Sequence, residues 1–184
     1  MEFSEKEKTL VNFLLIFYRN KLSFLSDIIS QKTPLSLRLI DWLVTNYSKK
    51  YNIIFTLQKG QEIKHFNIYI DYKNQLKAYS KKFFDPFCRQ KRLMININTF
   101  NWREYDENNL NSNYLVTTVG QLNFFKWFIE NKIFDYALSN VRLIDSDMIT
   151  TMTSKNKDKR TVLSPSAVKG IYTTTENITI KFKP

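Results

Sequence analysis

Ile53-Ile54-Phe55-Thr56-Leu57-Gln58-Lys59-Gly60-Gln61-Glu62-Ile63-Lys64-His65-Phe66-Asn67-Ile68-Tyr69-Ile70-Asp71-Tyr72 decides the fold class. Before it, apolar residues recur at helical spacing; within it the period drops to two. Ile53, Phe55 and Leu57 alternate with Ile54, Thr56 and Gln58. Lys59-Gly60-Gln61-Glu62 reads as a turn. Phe66, Ile68, Ile70 and Tyr72 then alternate with His65, Asn67, Tyr69 and Asp71. That is a β-hairpin with one buried face.

Upstream, Ser4 and Glu7 match a capping box, and Leu10, Val11, Leu14, Leu15 and Tyr18 follow with helical period. A helix is predicted over 4–20, with 22–29 continuing it or forming a second. Thr33-Pro34 reads as another helix start, leading Leu35, Leu39, Ile40, Leu43 and Tyr47 towards Lys49-Lys50. Downstream, Leu93, Ile95 and Ile97 give a third strand and residues 104–113 a polar loop. Residues 114–119 give a fourth strand. Thr118 and Gln121 fit a second capping box, opening a long buried helix through Leu122, Phe125, Ile129 and Ile133. Asp145 and Asp147 read as a last helix start. Residues 150–160 read as a mobile linker, and Ile178, Ile180 and Phe182 as a tail strand. The expected class is α+β: N-terminal helices, a small mostly antiparallel sheet, one long buried helix, then a C-terminal linker and tail strand. The expected parts are a helical extension over 1–33, a core over 34–149 and a basic linker and tail over 150–184.

The 184 residues suffice for one core. One cysteine excludes an internal disulfide, and one histidine with one cysteine excludes a His/Cys zinc site. Gly60, Gly120 and Gly170 are too far apart for a phosphate loop. No apolar run approaches the roughly 20 residues of a spanning helix, and Met1–Lys8, with its three glutamates, does not read as a convincing signal peptide. A soluble intracellular protein without membrane contact or cofactor is expected. The net charge is +11. Lys 21, Asn 18 and Ile 18 against Ala 3, Gly 3 and Arg 7 suggest AT-rich coding, which accounts for part of the lysine. It does not account for its uneven placement. Residues 71–92 carry seven cations and two acids, as do residues 155–184.

The run from Tyr72 to Arg92 interleaves cations with aromatic residues. Lysines displace counterions from phosphates and exposed rings stack on unpaired bases. The candidate nucleic-acid-binding residues here are Lys73, Lys77, Tyr79, Lys81, Lys82, Arg89, Lys91 and Arg92. If helical, Lys73, Lys77 and Lys81 line one face. Against this, Phe83, Phe84 and Phe87 suit a core and the lysines a solvated face. Lys155, Lys157, Lys159 and Arg160 form a second candidate cluster, or a solubilising linker. Glu62 and Lys64, with an upstream acid such as Asp41, fit a metal-dependent nuclease only loosely, because the site needs a carboxylate cluster. His65 lacks an evident acid–base partner. Cys88 sits beside Arg89 but suits a buried, inert thiol. Trp42, Trp102 and Trp127 suit the core.

Three blocks together carry a resemblance: Ile40–Lys50; Tyr72–Arg89 with Asp85-Pro86-Phe87-Cys88-Arg89; and Thr117–Trp127. Leu163-Ser164-Pro165-Ser166-Ala167 fits with them. They resemble an uncharacterised family of large nucleocytoplasmic DNA viruses, of the mimivirus and phycodnavirus type, from about Pro34 to Phe182. The resemblance implies a host-cell, viral-factory or virion setting and no mechanism. The expected function is a non-enzymatic protein binding DNA or RNA without sequence preference, in genome packaging, replication or transcription. The alternatives are a structural virion protein, docking on other virion proteins through its tail strand, and, more remotely, a nuclease.

Overall fold

The computed structural model describes residues 2–59, 62–109 and 111–160. The class is α+β. One compact unit spans Met1–Met148 and a second Ile149–Pro184. The first begins with α1 (Glu5–Tyr18) and α2 (Leu22–Ile29). The Ser4–Glu7 capping box forms as expected, with Glu7 N–H donating to Ser4 Oγ and Ser4 N–H to Glu7 Oε2. The N-terminal helices pack on the core of the first unit. Val11, Leu14 and Tyr18 are buried, and the Tyr18 hydroxyl donates to Leu122 O at 2.7 Å.

The next helix starts three residues later than Thr33-Pro34 suggests. Ser36 is the extended residue, its Oγ accepting from Leu39 N–H, and α3 runs Leu37–Trp42. It passes through a π-helical stretch, Leu43–Tyr47, into α4 (Ser48–Lys50). β1 (Ile54–Lys59) and β2 (Glu62–Asn67) pair antiparallel, Ile54 opposite Asn67 and Lys59 opposite Glu62. Leu57 and Phe66 are buried on one face and His65 is exposed on the other.

The expected strand through Ile68, Ile70 and Tyr72 is instead the start of α5 (Ile68–Phe83). Asn67 is extended and its Oδ1 accepts from Ile70 N–H, so the strand ends in an N-cap. Ile68 and Tyr72 are buried while Ile70 is 58% exposed. Positions i and i+4 share a face in a strand and in a helix alike, and only Ile70 distinguishes them.

A three-stranded antiparallel sheet follows in the order β4-β3-β5: β3 (Arg92–Asn96), β4 (Trp102–Glu104) and β5 (Tyr114–Thr118). The one expected sheet is therefore two. β3 ends early because Asn96 Oδ1 accepts from the N–H groups of Asn98 and Thr99. β4 is too short to show a period. The expected long helix is α6 (Val119–Glu130) and α7 (Ile133–Ser139), divided at Lys132, whose φ is 54°. Thr118 caps α6 as expected. α8 runs Val141–Arg160. Asp145 and Asp147 lie inside it rather than at its start. Asp147 is buried, accepting from Trp42 Nε1, Lys50 Nζ and the Tyr51 hydroxyl. Residues 150–160, expected as a mobile linker, are likewise helical, and the second unit begins at Ile149, one residue from the boundary expected. The hydroxyls of Thr153 and Ser154 donate back to carbonyls of their own helix, at Ile149 and Thr150, instead of interrupting it. The tail strand expected over 178–182 lies outside the described residues.

Candidate nucleic-acid interface

α5 carries the first half of the basic run. From Asn67 its first turns present Tyr69, Lys73 and Lys77 at i, i+4 and i+8, about 6 Å apart along the axis. Lys73 and Lys77 are exposed and Tyr69 is half-buried. The opposite face is anchored: Ile68 and Tyr72 are buried, and Asp71 accepts from Trp127 Nε1 at 2.6 Å. Lys49, from α4, places its ammonium 5.7 Å from the centre of the Tyr69 ring. The ridge is thus Lys49, Tyr69, Lys73 and Lys77. Lys49 and Tyr69 escaped the sequence reading, because only the fold brings α4 beside α5.

The row does not reach Lys81 as one helical face. Ser80 has φ 56° and ψ 170°, which breaks the helix. That left-handed φ is uncommon outside glycine and marks a conformation held by its surroundings. Past the break the chain turns inward. Phe84 is buried against Tyr72, Phe124 and Trp127, at ring separations of 6.0, 5.2 and 5.4 Å. Three neighbouring residues of α6 hold this turn by its backbone. Gln121 Nε2 donates to Pro86 O at 2.8 Å, Asn123 Nδ2 to Phe83 O at 3.0 Å, and Asp85 N–H to Gly120 O at 3.2 Å. A β-carbon on Gly120 would lie 3.0 Å from Lys82 O, so any larger residue would push the turn back by a few tenths of an ångström. The sequence showed a nearly all-apolar α6; Gln121 and Asn123 are its buried exceptions, and they explain themselves only through the turn they clamp.

The expected site residues therefore divide. Lys73, Lys77 and Lys81 are exposed and form no ion pair with any described residue; Tyr79 is exposed and stacks on Phe84. Lys82 lies 3.4 Å from Glu7. Arg89 makes two bonds of 2.8 Å to the buried Asp85. Lys91 lies 3.8 Å from Glu104. Arg92 opens β3 with its guanidinium 5.5 Å from the Tyr105 ring centre. Lys155, Lys157, Lys159 and Arg160 fall in the last turns of α8, in the second unit, and their side chains lie outside the described residues.

Around the clamp, burial raises the Asp41 carboxyl above the ordinary range, aided by Asp85 and opposed by Arg89 and Lys81. Burial, with the charges of Asp41 and Asp85, pushes the Tyr72 hydroxyl up to about 12. Burial raises the Cys88 thiol against the pull of Arg92. Glu62 and Lys64 are exposed on β2, while Asp41 is on α3 among the groups just named. No group of three or more His, Cys, Asp or Glu that could hold a metal occurs among the described residues. No helix among them is long and apolar enough to cross a membrane.

The fold and the ridge define a basic α+β protein whose helix α5 carries lysines that pair with no acid among the described residues. The chain belongs to a family of unknown function, DUF7197, whose model matches residues 1–179. The viral resemblance expected from the sequence holds, and the family match takes in residues 1–33 as well. The chain is similar to an uncharacterised protein of Acanthamoeba polyphaga mimivirus, 38% identical over 154 residues, which are 79% of this chain and 56% of that protein. It therefore spans little more than half the length of this relative. No solved structure matches.

Proposed function

We propose that this protein is a non-enzymatic nucleic-acid-binding protein of a large DNA virus, acting in genome packaging, replication or transcription. One observation carries the reading: Lys73, Lys77 and Lys81 are exposed, form no ion pair with described residues, and are flanked by Lys49, Tyr69 and Tyr79. Cations held by acids in the folded protein exchange one partner for another when phosphate arrives. Unpaired ones release counterions from the nucleic acid, which is the main source of nonspecific affinity. Nothing among the described residues is shaped to read base edges, which suits binding without sequence preference. The test is binding of labelled single- and double-stranded DNA and RNA across a salt series. The triple variant Lys73→Gln, Lys77→Gln, Lys81→Gln flattens the slope of log affinity against log salt by about 2 to 3, at roughly 0.7–0.9 per lost phosphate contact. Its melting temperature stays near that of the unaltered protein, since these side chains make no ion pair with described residues and only Lys81 acts, weakly, on a buried group, the Asp41 carboxyl. An unchanged slope, or no binding at about 0.15 M salt, sinks the reading.

A second reading, a virion component acting through protein contacts, is favoured by the outer face of the β1–β2 hairpin. Ile54 and Ile63 are 53% and 70% exposed there. Exposed apolar sheet surface is a device for association. Light scattering distinguishes the readings: on this one the protein self-associates, and Ile63→Lys returns it to a monomer.

A further inference from the structure

β2 is an edge strand, and its first four residues, Glu62, Ile63, Lys64 and His65, are all exposed. Ile63, an apolar residue among them, is 70% exposed. The backbone on this edge is open too. Ile68 N–H donates to Ile53 O at 3.2 Å, which continues the register that sets Ile54 opposite Asn67. Bonded and non-bonded pairs alternate along an antiparallel ladder. Phe66, Lys64 and Glu62 therefore turn their N–H and C=O groups towards β1, while Ile63 and His65 turn theirs away. The sheet has two strands, so no described strand meets them. Open edges are commonly blunted by charges of one sign. This one carries both signs, Glu62 and Lys64, on either side of an isoleucine.

That pattern is its own complement. Two copies of one strand pair antiparallel about a two-fold axis, and the same patch then serves on both sides. An axis between two residues would set an outward-turned backbone group against an inward-turned one, so the axis passes through a residue. An axis at Glu62 opposes glutamate to glutamate, and one at Lys64 opposes lysine to lysine. Like charges directly opposite each other are destabilising. An axis at His65 sets Glu62 against Ile68, where β2 has given way to α5. An axis at Ile63 has none of these faults. It opposes each Glu62 to the Lys64 of the other copy, twice, and brings the two exposed Ile63 side chains together.

We propose that two copies of this protein join β2 to β2 about an axis at Ile63, making one four-stranded antiparallel sheet across the pair. This rests on the second reading above and names the partner and the register of that hairpin. The shared edge is short, so the contact belongs to the weak class and dissociates on dilution.

The test is a charge exchange, read by light scattering over a concentration series. The unaltered protein passes from monomer to dimer as concentration rises. Glu62→Lys and Lys64→Glu each weaken dimerisation by about tenfold, because each turns two attractive pairs into two repulsive ones. Glu62→Lys combined with Lys64→Glu restores the dimer, which requires position 62 to face position 64 of the other copy. These side chains are exposed, so the variants keep the fold. A second measurement uses thiols in a Cys88→Ser background. Ile63→Cys cross-links to itself under oxidised glutathione, since the α-carbons of a bonded antiparallel pair stand about 5.5 Å apart, within reach of a disulfide. Lys64→Cys, whose counterpart is Glu62, does not. A double charge variant as weak as the single ones overturns the register and leaves association through the outer face of Ile54 and Ile63 in place. So does a Lys64→Cys that cross-links as readily as Ile63→Cys. A protein that stays monomeric throughout the series overturns both.

Discussion

The two halves of the basic run at 71–92 look alike in sequence, but all the ion pairs that the run forms with described residues fall in the second. Before Ser80, Lys73 and Lys77 stand on a helix whose other face is buried, and they form no ion pair with any described residue. After it, Lys82, Arg89 and Lys91 each face a carboxylate of Glu7, Asp85 or Glu104. A count of cations assigns seven charges to a ligand; among the described residues the structure gives four of them, Lys73, Lys77, Lys81 and Arg92, no ion-paired acid. The difference comes from what each half packs on. A helix lying on the core by one stripe exposes the other. An irregular turn pressed into the core must instead satisfy its own backbone and charges locally.

The sharpest way to break this contrast is to remove the anchor of the second half. Phe84→Ala deletes the ring packed against Tyr72, Phe124 and Trp127. A loss of about 3–5 kcal/mol in urea unfolding is expected. Truncating Lys73 to Ala leaves stability within about 0.5 kcal/mol. Equal effects in the two halves would abolish the division.

A smaller effect sharpens it. Arg89→Gln removes both bonds to the buried Asp85 carboxylate, and that carboxylate retains Phe87 N–H at 3.4 Å. Arg89 is 57% exposed, so water screens the pair and replaces part of it. A loss of about 1 kcal/mol is expected, with the salt slope of nucleic-acid binding unchanged. The lysine triple variant shows the reverse pattern. If Arg89→Gln flattens the slope as one of those lysines does, Arg89 belongs to the interface and not to the clamp.

The division was invisible in the sequence for identifiable reasons. The Ser4 and Thr118 caps were legible because a cap is local: hydroxyl, spacing and partner lie within four residues. The buried face of the hairpin was legible through its period. The helix at Ile68 was not, because Ile68 and Tyr72 satisfy both periods and the decisive group is the Asn67 side chain. The π-helical stretch at 43–47 leaves no mark in the apolar stripe it interrupts. Ion pairs such as Lys82–Glu7 and Lys91–Glu104 join residues 75 and 13 positions apart across the fold. Nothing in the composition of the run distinguishes such a lysine from an unpaired one. For the same reason Lys49 and Tyr69 became part of the ridge only once α4 lay beside α5.

The smallest expected effect concerns Asp41, which borders the second half: burial and Asp85 raise its carboxyl, while Arg89 and Lys81 draw it down less. The net shift is upward from 3.8, so the folded protein holds this proton more tightly than the unfolded chain. The stabilising contribution is therefore complete at pH below 3.8. It is lost as pH rises from there through the raised folded value, and at neutral pH the charged carboxylate is a liability. Asp41→Asn removes that liability and is expected to raise neutral-pH stability by less than about 1 kcal/mol. The gain disappears in the acid range, and urea midpoints of both proteins measured from pH 3 to pH 7 follow it. Loss of Lys81 should deepen the liability, since one of the two cations that moderate Asp41 is then gone. A ligand phosphate that recruits Lys81 would do the same, and so link nucleic-acid binding weakly to the protonation of Asp41. A stability difference between the two proteins that does not vary with pH would remove Asp41 from the electrostatics of the run and leave it a packing residue.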